Sequence, residues 1–172
     1  MQMGVQPEVR PSDADENIDE KNPEEFVKIL SFRKADSVVN SSEEDGIYIG
    51  SDTVVAYGDR ILGKPKSRQQ AFDMIESFQG SRHQVYTGVT LIIKDGEKRE
   101  DITFAEKTEV MVHSMSQDEI WQYVDTGEAD DKAGAYGIQG PFGKFIDGIE
   151  GDYNNVVGLP IARIYQEIKE YI

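Results

Sequence analysis

Ile47-Tyr48-Ile49-Gly50-Ser51-Asp52-Thr53-Val54-Val55-Ala56 sets the pattern from which the rest of the chain is read. Its β-branched and aromatic residues predict a strand, with a carboxylate and two hydroxyls in the middle. Tyr57-Gly58-Asp59-Arg60 predicts a hairpin turn into a short return strand at Ile61-Leu62, and Gly63-Lys64-Pro65 follows. A strand that carries a carboxylate and a hydroxyl, turns, and returns to a lysine suits the holding of a metal and a polyphosphate. Asp131-Lys132-Ala133-Gly134-Ala135-Tyr136-Gly137-Ile138-Gln139-Gly140 has the make-up of a facing wall. Its glycines let backbone approach a ligand, and the Gln139 amide both donates to and accepts from a base edge.

Before this strand, residues 8–25 are acidic and poor in apolar side chains, which predicts a loop or disordered arm. Asn22-Pro23 with Glu24 and Glu25 is a helix start, and helical spacing runs to about Val39. After it, Ser67-x-x-Gln70 and Ser116-x-x-Glu119 are capping boxes for two more helices. Between those helices, residues 83–93 and a long run ending near Val112 predict paired strands around the Lys94-Asp95-Gly96 turn. In the glycine-rich stretch after Gly127, Phe145-Ile146 is the expected strand. Leu159-Pro160 opens a closing helix expected to bury Ile161, Ile164, Tyr165 and Ile168. Alternating helices and strands argue for an α/β fold.

The chain has 172 residues, enough for one domain with a sizeable core. Its formal net charge of −15 disfavours nucleic acid and anionic membranes as partners. A small anionic substrate is still compatible, because a metal and a few lysines reverse the potential locally. With no cysteine, disulfides and thiol catalysis are excluded. No apolar run approaches the ~18 residues of a membrane span. The N-terminus lacks the apolar region of a secretory signal, so a cytoplasmic location is expected.

Each candidate has a plainer reading beside the functional one. Asp52 is either a surface aspartate or a paired or metal-bound carboxylate, since burying it alone is costly. Lys64 is either solvated in a turn or aimed at phosphate oxygens. Arg82 and Lys132 are candidate substrate-binding cations, while His83 reads as structural or as surface. The two histidines, His83 and His113, cannot make a multi-histidine zinc site. Asp152 either binds metal or caps the last helix. Glu16, in a run of acids, supplies hard oxygen suited to Mg²⁺ if folding brings it to the site.

The stretches SDTVV, ILGKP, SFQGSRHQVYTGV, AEKTEV, DKAGAYGIQG and IEGDYNNVVGLP together resemble the Maf family of nucleoside triphosphate pyrophosphatases, also known for septum-formation inhibition. The resemblance runs from about Gly4 to the closing helix. It implies an inosine triphosphate pyrophosphatase-like fold, a long mixed sheet flanked by helices with a cleft between two lobes, often as a homodimer. It implies that Asp52 is the proton acceptor, that Thr53 and Gln139 choose the substrate, and that Lys64, Lys34 and Glu16 are charged site residues. The DT and YGIQG pairing resembles the branch acting on dTTP and UTP.

One departure accompanies the match. Family members begin with a strand and helix carrying Ser-x-Ser-Pro-Arg-Arg, which is absent before the Gly4-Val5 junction. The resemblance therefore implies a single Maf-like domain over 1–172, N-terminally truncated relative to the family and weakened or inactive. The expected activity is metal-dependent hydrolysis of a dTTP- or UTP-like nucleotide to the monophosphate and pyrophosphate, with Mg²⁺ or Mn²⁺ on Asp52 and Glu16. The alternative is a non-catalytic nucleotide-binding or regulatory protein of cell division. An acidic interaction module would leave the paired glycine-rich motifs unexplained.

Overall fold

A computed structural model describes Gly4 and residues 6–172; Val5, half of the junction named above, lies outside the described residues. The chain runs helix α1 (Pro23–Asn40), strands β1 (Gly46–Tyr57) and β2 (Arg60–Leu62), helix α2 (Arg68–Phe78), strands β3 (Arg82–Asp95) and β4 (Lys98–Val112), then helix α3 (Gln117–Val124). Three short 3₁₀ turns lead to β5 (Ile146–Glu150), followed by α4 (Tyr153–Val157) and α5 (Ile161–Ile168). The expected sheet flanked by helices is present. All its described ladders are antiparallel, in the order β2-β1-β3-β4-β5, rather than mixed. The tight turns at Gly58 and Gly96 account for two of these ladders, β1–β2 and β3–β4, because a two-residue turn can only reverse the chain.

The predicted caps form. The Asn22 side chain accepts from Glu24 N–H and Glu25 N–H at the start of α1. Ser116 and Glu119 complete a reciprocal box at α3. At α2 only half the box forms: Ser67 accepts from Gln70 N–H, while Gln70 reaches back to Lys66 N–H instead.

Helix α1 lies directly on the sheet because two facing glycines leave it room. A Cβ on Gly50 would stand 2.3 Å from Ser31 O, and one on Gly88 would stand 2.2 Å from Val27 O. Gly50 and Gly88 belong to the paired strands β1 and β3. A main cluster gathers α2, α3 and the 3₁₀ turns on Val55, Val85 and Val110. A smaller one packs Ile164 and Ile168 of α5 on Val89, Leu91 and Phe104. Tyr165, expected on the buried face of α5, is 44% exposed.

Strand β2 pairs with β1 only at residues 55–57. The earlier part of β1, with Ser51, Asp52 and Thr53, therefore forms an edge among the described strands. This edge is where the cleft opens. Among the described residues no helix is long and apolar enough to cross a membrane.

Candidate active site

The cleft has a volume of about 520 Å³, within the range of small-molecule sites. Its lining brings together Lys34, Asp52, Thr53, Lys64, Lys132 and Gln139, six of the residues singled out from the sequence. Val55, Val85, Ile138, Val156 and Val157 add an apolar surface that a base can lie against.

Asp52 is largely enclosed, its side chain 12% exposed. Lys34 donates to its Oδ1 at 2.7 Å from the middle of α1. The same ammonium lies 2.9 Å from Glu16 Oε1. Glu16 does not line the cleft itself but reaches it through Lys34. The acidic arm is brought there by Arg33, which donates to Asp15 O at 2.8 Å, and by Arg10, which pairs with Glu44 at 2.6 Å. Burial pushes the Asp52 carboxyl above the usual range, and the Lys34 ammonium offsets only part of that. Burial works against the charge of Lys34 as well, yet Asp52 and Glu16 together hold it above the ordinary lysine value.

One wall of the cleft is fastened to the sheet by side chains. Thr53 and Thr87, directly opposite each other on β1 and β3, share a hydrogen bond of 2.8 Å. Thr87 donates to Asn155 O at 2.8 Å, and Ser51 donates to Gly158 O at 2.9 Å. Asn155 Nδ2 donates to Val85 O at 3.1 Å and to Thr108 Oγ1 at 2.9 Å. Asp152 caps α4 by accepting from Asn154 N–H at 2.7 Å, which places its cap on α4 rather than on the last helix.

The facing wall is tied to the lysine turn. Gly134 N–H donates to Gly63 O at 3.0 Å, joining the two glycine-bearing motifs seen in the sequence. Lys132 pairs with Asp131 at 2.6 Å, and its ammonium, with Lys64 behind it, holds the Asp131 carboxyl below the usual range. Glu128, which the sequence reading passed over, also lines this wall. Its Oε2 is buried without a hydrogen-bond partner. Its Oε1 would lie 1.5 Å from a Cβ on Gly140, so glycine there is what makes room for the carboxylate. Behind it Tyr123 accepts from Gly137 N–H at 3.4 Å; burial and the Glu128 charge both push the phenol pKa up.

Arg82, expected to bind substrate, is not brought to the cleft. Its guanidinium faces Glu109 at 3.2 Å and Glu150 at 3.8 Å, carboxylates of β4 and β5. His83 next to it is fully buried and shares a 2.8 Å hydrogen bond with the Tyr136 hydroxyl. Burial depresses its pKa to about 4, so it is a neutral core residue.

Among the described residues no group of three or more His, Cys, Asp or Glu side chains is placed to cage a metal. The donors present fit a different mode. Mg²⁺ is commonly held by one or two carboxylates while substrate phosphates and waters fill its other positions. Asp52, with Oδ2 not engaged by Lys34, has the chemistry for this, and Glu16 is the second carboxylate on the same ammonium.

A family model described as Maf-like protein matches residues 1–171. Among curated relatives, a protein named dTTP/UTP pyrophosphatase from Thermoanaerobacter sp. (strain X514) is 45% identical over 168 residues, covering 97% of this chain and 86% of its own length. Another of that name from Lachnoclostridium phytofermentans is 46% identical over 171 residues, covering 99% and 87%. One from Geobacillus sp. (strain WCH70) is 46% identical over 159 residues, covering 92% and 83%. With a match over nearly its whole length and relatives at this identity, the chain belongs to the Maf family.

Proposed function

We propose that the cleft hydrolyses dTTP and UTP to the nucleoside monophosphate and pyrophosphate. The observation that carries this reading is the largely enclosed Asp52 carboxylate, set between Lys34 and the cleft whose other walls hold Lys64 and Gln139. The names of the relatives support the choice of nucleotide.

In this reading Asp52 takes a proton from a water whose oxygen attacks a phosphorus of the triphosphate. The phosphoanhydride bond breaks, and pyrophosphate leaves with the bonding electron pair. A carboxylate with a raised pKa is a better base than an ordinary aspartate. Lys34 and Lys64 place positive charge where the leaving group becomes more negative. Lys132 adds charge on the far wall, and Thr53 with Gln139 faces the pyrimidine edge. A divalent cation, Mg²⁺ or Mn²⁺, bound by Asp52 and Glu16 together with the phosphates, would neutralise their charge and acidify the water.

Pyrophosphate release from dTTP, UTP, CTP, ATP and GTP, with Mg²⁺ or Mn²⁺ and with chelator, tests the proposal. Turnover of dTTP and UTP ahead of the others, lost with chelator, is expected. No pyrophosphate from either nucleotide would overturn it.

A further inference from the structure

The hydrogen-bond chain beneath the cleft has a direction, and that direction bears on which base is accepted. Thr87 is fully buried. Its hydroxyl has one proton. That proton goes to Asn155 O at 2.8 Å, because a carbonyl oxygen only accepts. The 2.8 Å contact between Thr87 and Thr53 then has one possible donor, the Thr53 hydroxyl. Thr53, which lines the cleft, has spent its only proton inward and offers a ligand lone pairs alone.

Uracil and thymine carry a hydrogen on N3. Cytosine carries a lone pair there. An oxygen that can only accept matches the first and repels the second. Gln139 cannot make this distinction unaided, because its amide turns to present either its NH₂ or its oxygen. Refusing a partner that leaves a fixed polar group unmatched is among the strongest sources of substrate choice.

We propose that Thr87, which never touches the substrate, is the positioning residue that makes the cleft prefer uracil and thymine over cytosine, by fixing Thr53 as an acceptor for the N3–H. This rests on the pyrimidine nucleotide reading given above. Without the Thr87 oxygen, the Thr53 proton is free to turn into the cleft and meet the cytosine N3.

The test compares kcat/KM for UTP and CTP in wild type, Thr87→Val and Thr87→Ser, and adds N3-methyl-UTP for wild type. In Thr87→Val the UTP-to-CTP ratio should fall about tenfold or more, the size expected for one hydrogen bond made or refused. Thr87→Ser keeps the donor and should keep the ratio. Loss of packing alone lowers both nucleotides together and leaves the ratio where it was, which would overturn the proposal. Should Thr87→Val fail to fold, the wild-type arm decides: N3-methyl-UTP turned over as fast as UTP would overturn the proposal without any variant. Wild type releasing pyrophosphate from neither dTTP nor UTP would instead sink the function from which the inference starts.

Discussion

The Lys34 ammonium sits between two carboxylates, 2.7 Å from Asp52 on the sheet edge and 2.9 Å from Glu16 on the acidic arm. One helical lysine thus ties the arm to the proposed base. The arrangement makes the ionisation of Asp52 depend on a residue eighteen positions earlier in the chain.

Asp52→Asn should abolish pyrophosphate release, by about a hundredfold or more if the carboxylate is the base. The fold should not suffer. With its pKa raised by burial, ionised Asp52 detracts from stability as pH rises through the folded value, and a neutral amide lacks that effect. A folded variant is expected at neutral pH, because Glu16 still pairs with Lys34 once the Asp52 charge is gone; an unfolded variant would assign Asp52 a structural role.

Lys34→Met should move the acidic limb of the kcat/KM profile to higher pH. Lys34 partly offsets the burial of Asp52, so its loss raises that carboxyl further. A base is lost as pH falls through its pKa, and a higher pKa brings that loss earlier on acidification. The profile measured from pH 5 to 9 checks this, and an unmoved limb would separate Asp52 from the observed titration.

Gly140→Ala should destabilise by about 1 kcal/mol or less, because the added Cβ meets only the far end of the Glu128 side chain, which must turn aside. The added Cβ would fall 1.5 Å from Glu128 Oε1 and 2.3 Å from its Cδ. Combining it with Glu128→Ala should recover most of the loss. Urea unfolding of the two single variants and the double variant reads the coupling; simple additivity would mean that the two residues do not meet.

His83 should make the protein acid-sensitive. Its folded pKa is about 4 against 6.5 for the free side chain, so the unfolded chain holds the extra proton between these values. Stability then rises with pH through that window and falls on acidification, by up to roughly 1.4 kcal/mol per pH unit. Urea midpoints at pH 7 and 5 should differ more in wild type than in His83→Gln.

Most of the scaffold was legible because its signals are local. The alternation of residues 47–56 and the caps at Asn22, Ser67 and Ser116 each gave an element the structure contains. The strand bearing Asp52 and the loop bearing Gln139 line one cleft, as the two motifs implied. What was missed depends on partners distant in sequence. Arg82 looked free until β4 and β5 brought Glu109 and Glu150 beside it. Helix α4 is five residues long, too short to show a period, and it lies in the glycine-rich stretch, where no helix was expected before the closing one. Glu128 gave no motif; its only trace was a glycine at 140 whose reason is the carboxylate packed on it.

Residues 152–158 hang from the sheet by side chains of Ser51, Thr87 and Thr108, while Asn155 reaches back to Val85. Three strands therefore hold that rim, and it cannot yield without disturbing the sheet itself. Adaptation to a bulkier base falls to the other rim, residues 132–140, which is built of turns rather than ladders. Drift in nucleotide preference among relatives should accumulate there, and hydrogen exchange should be faster there than across residues 152–158.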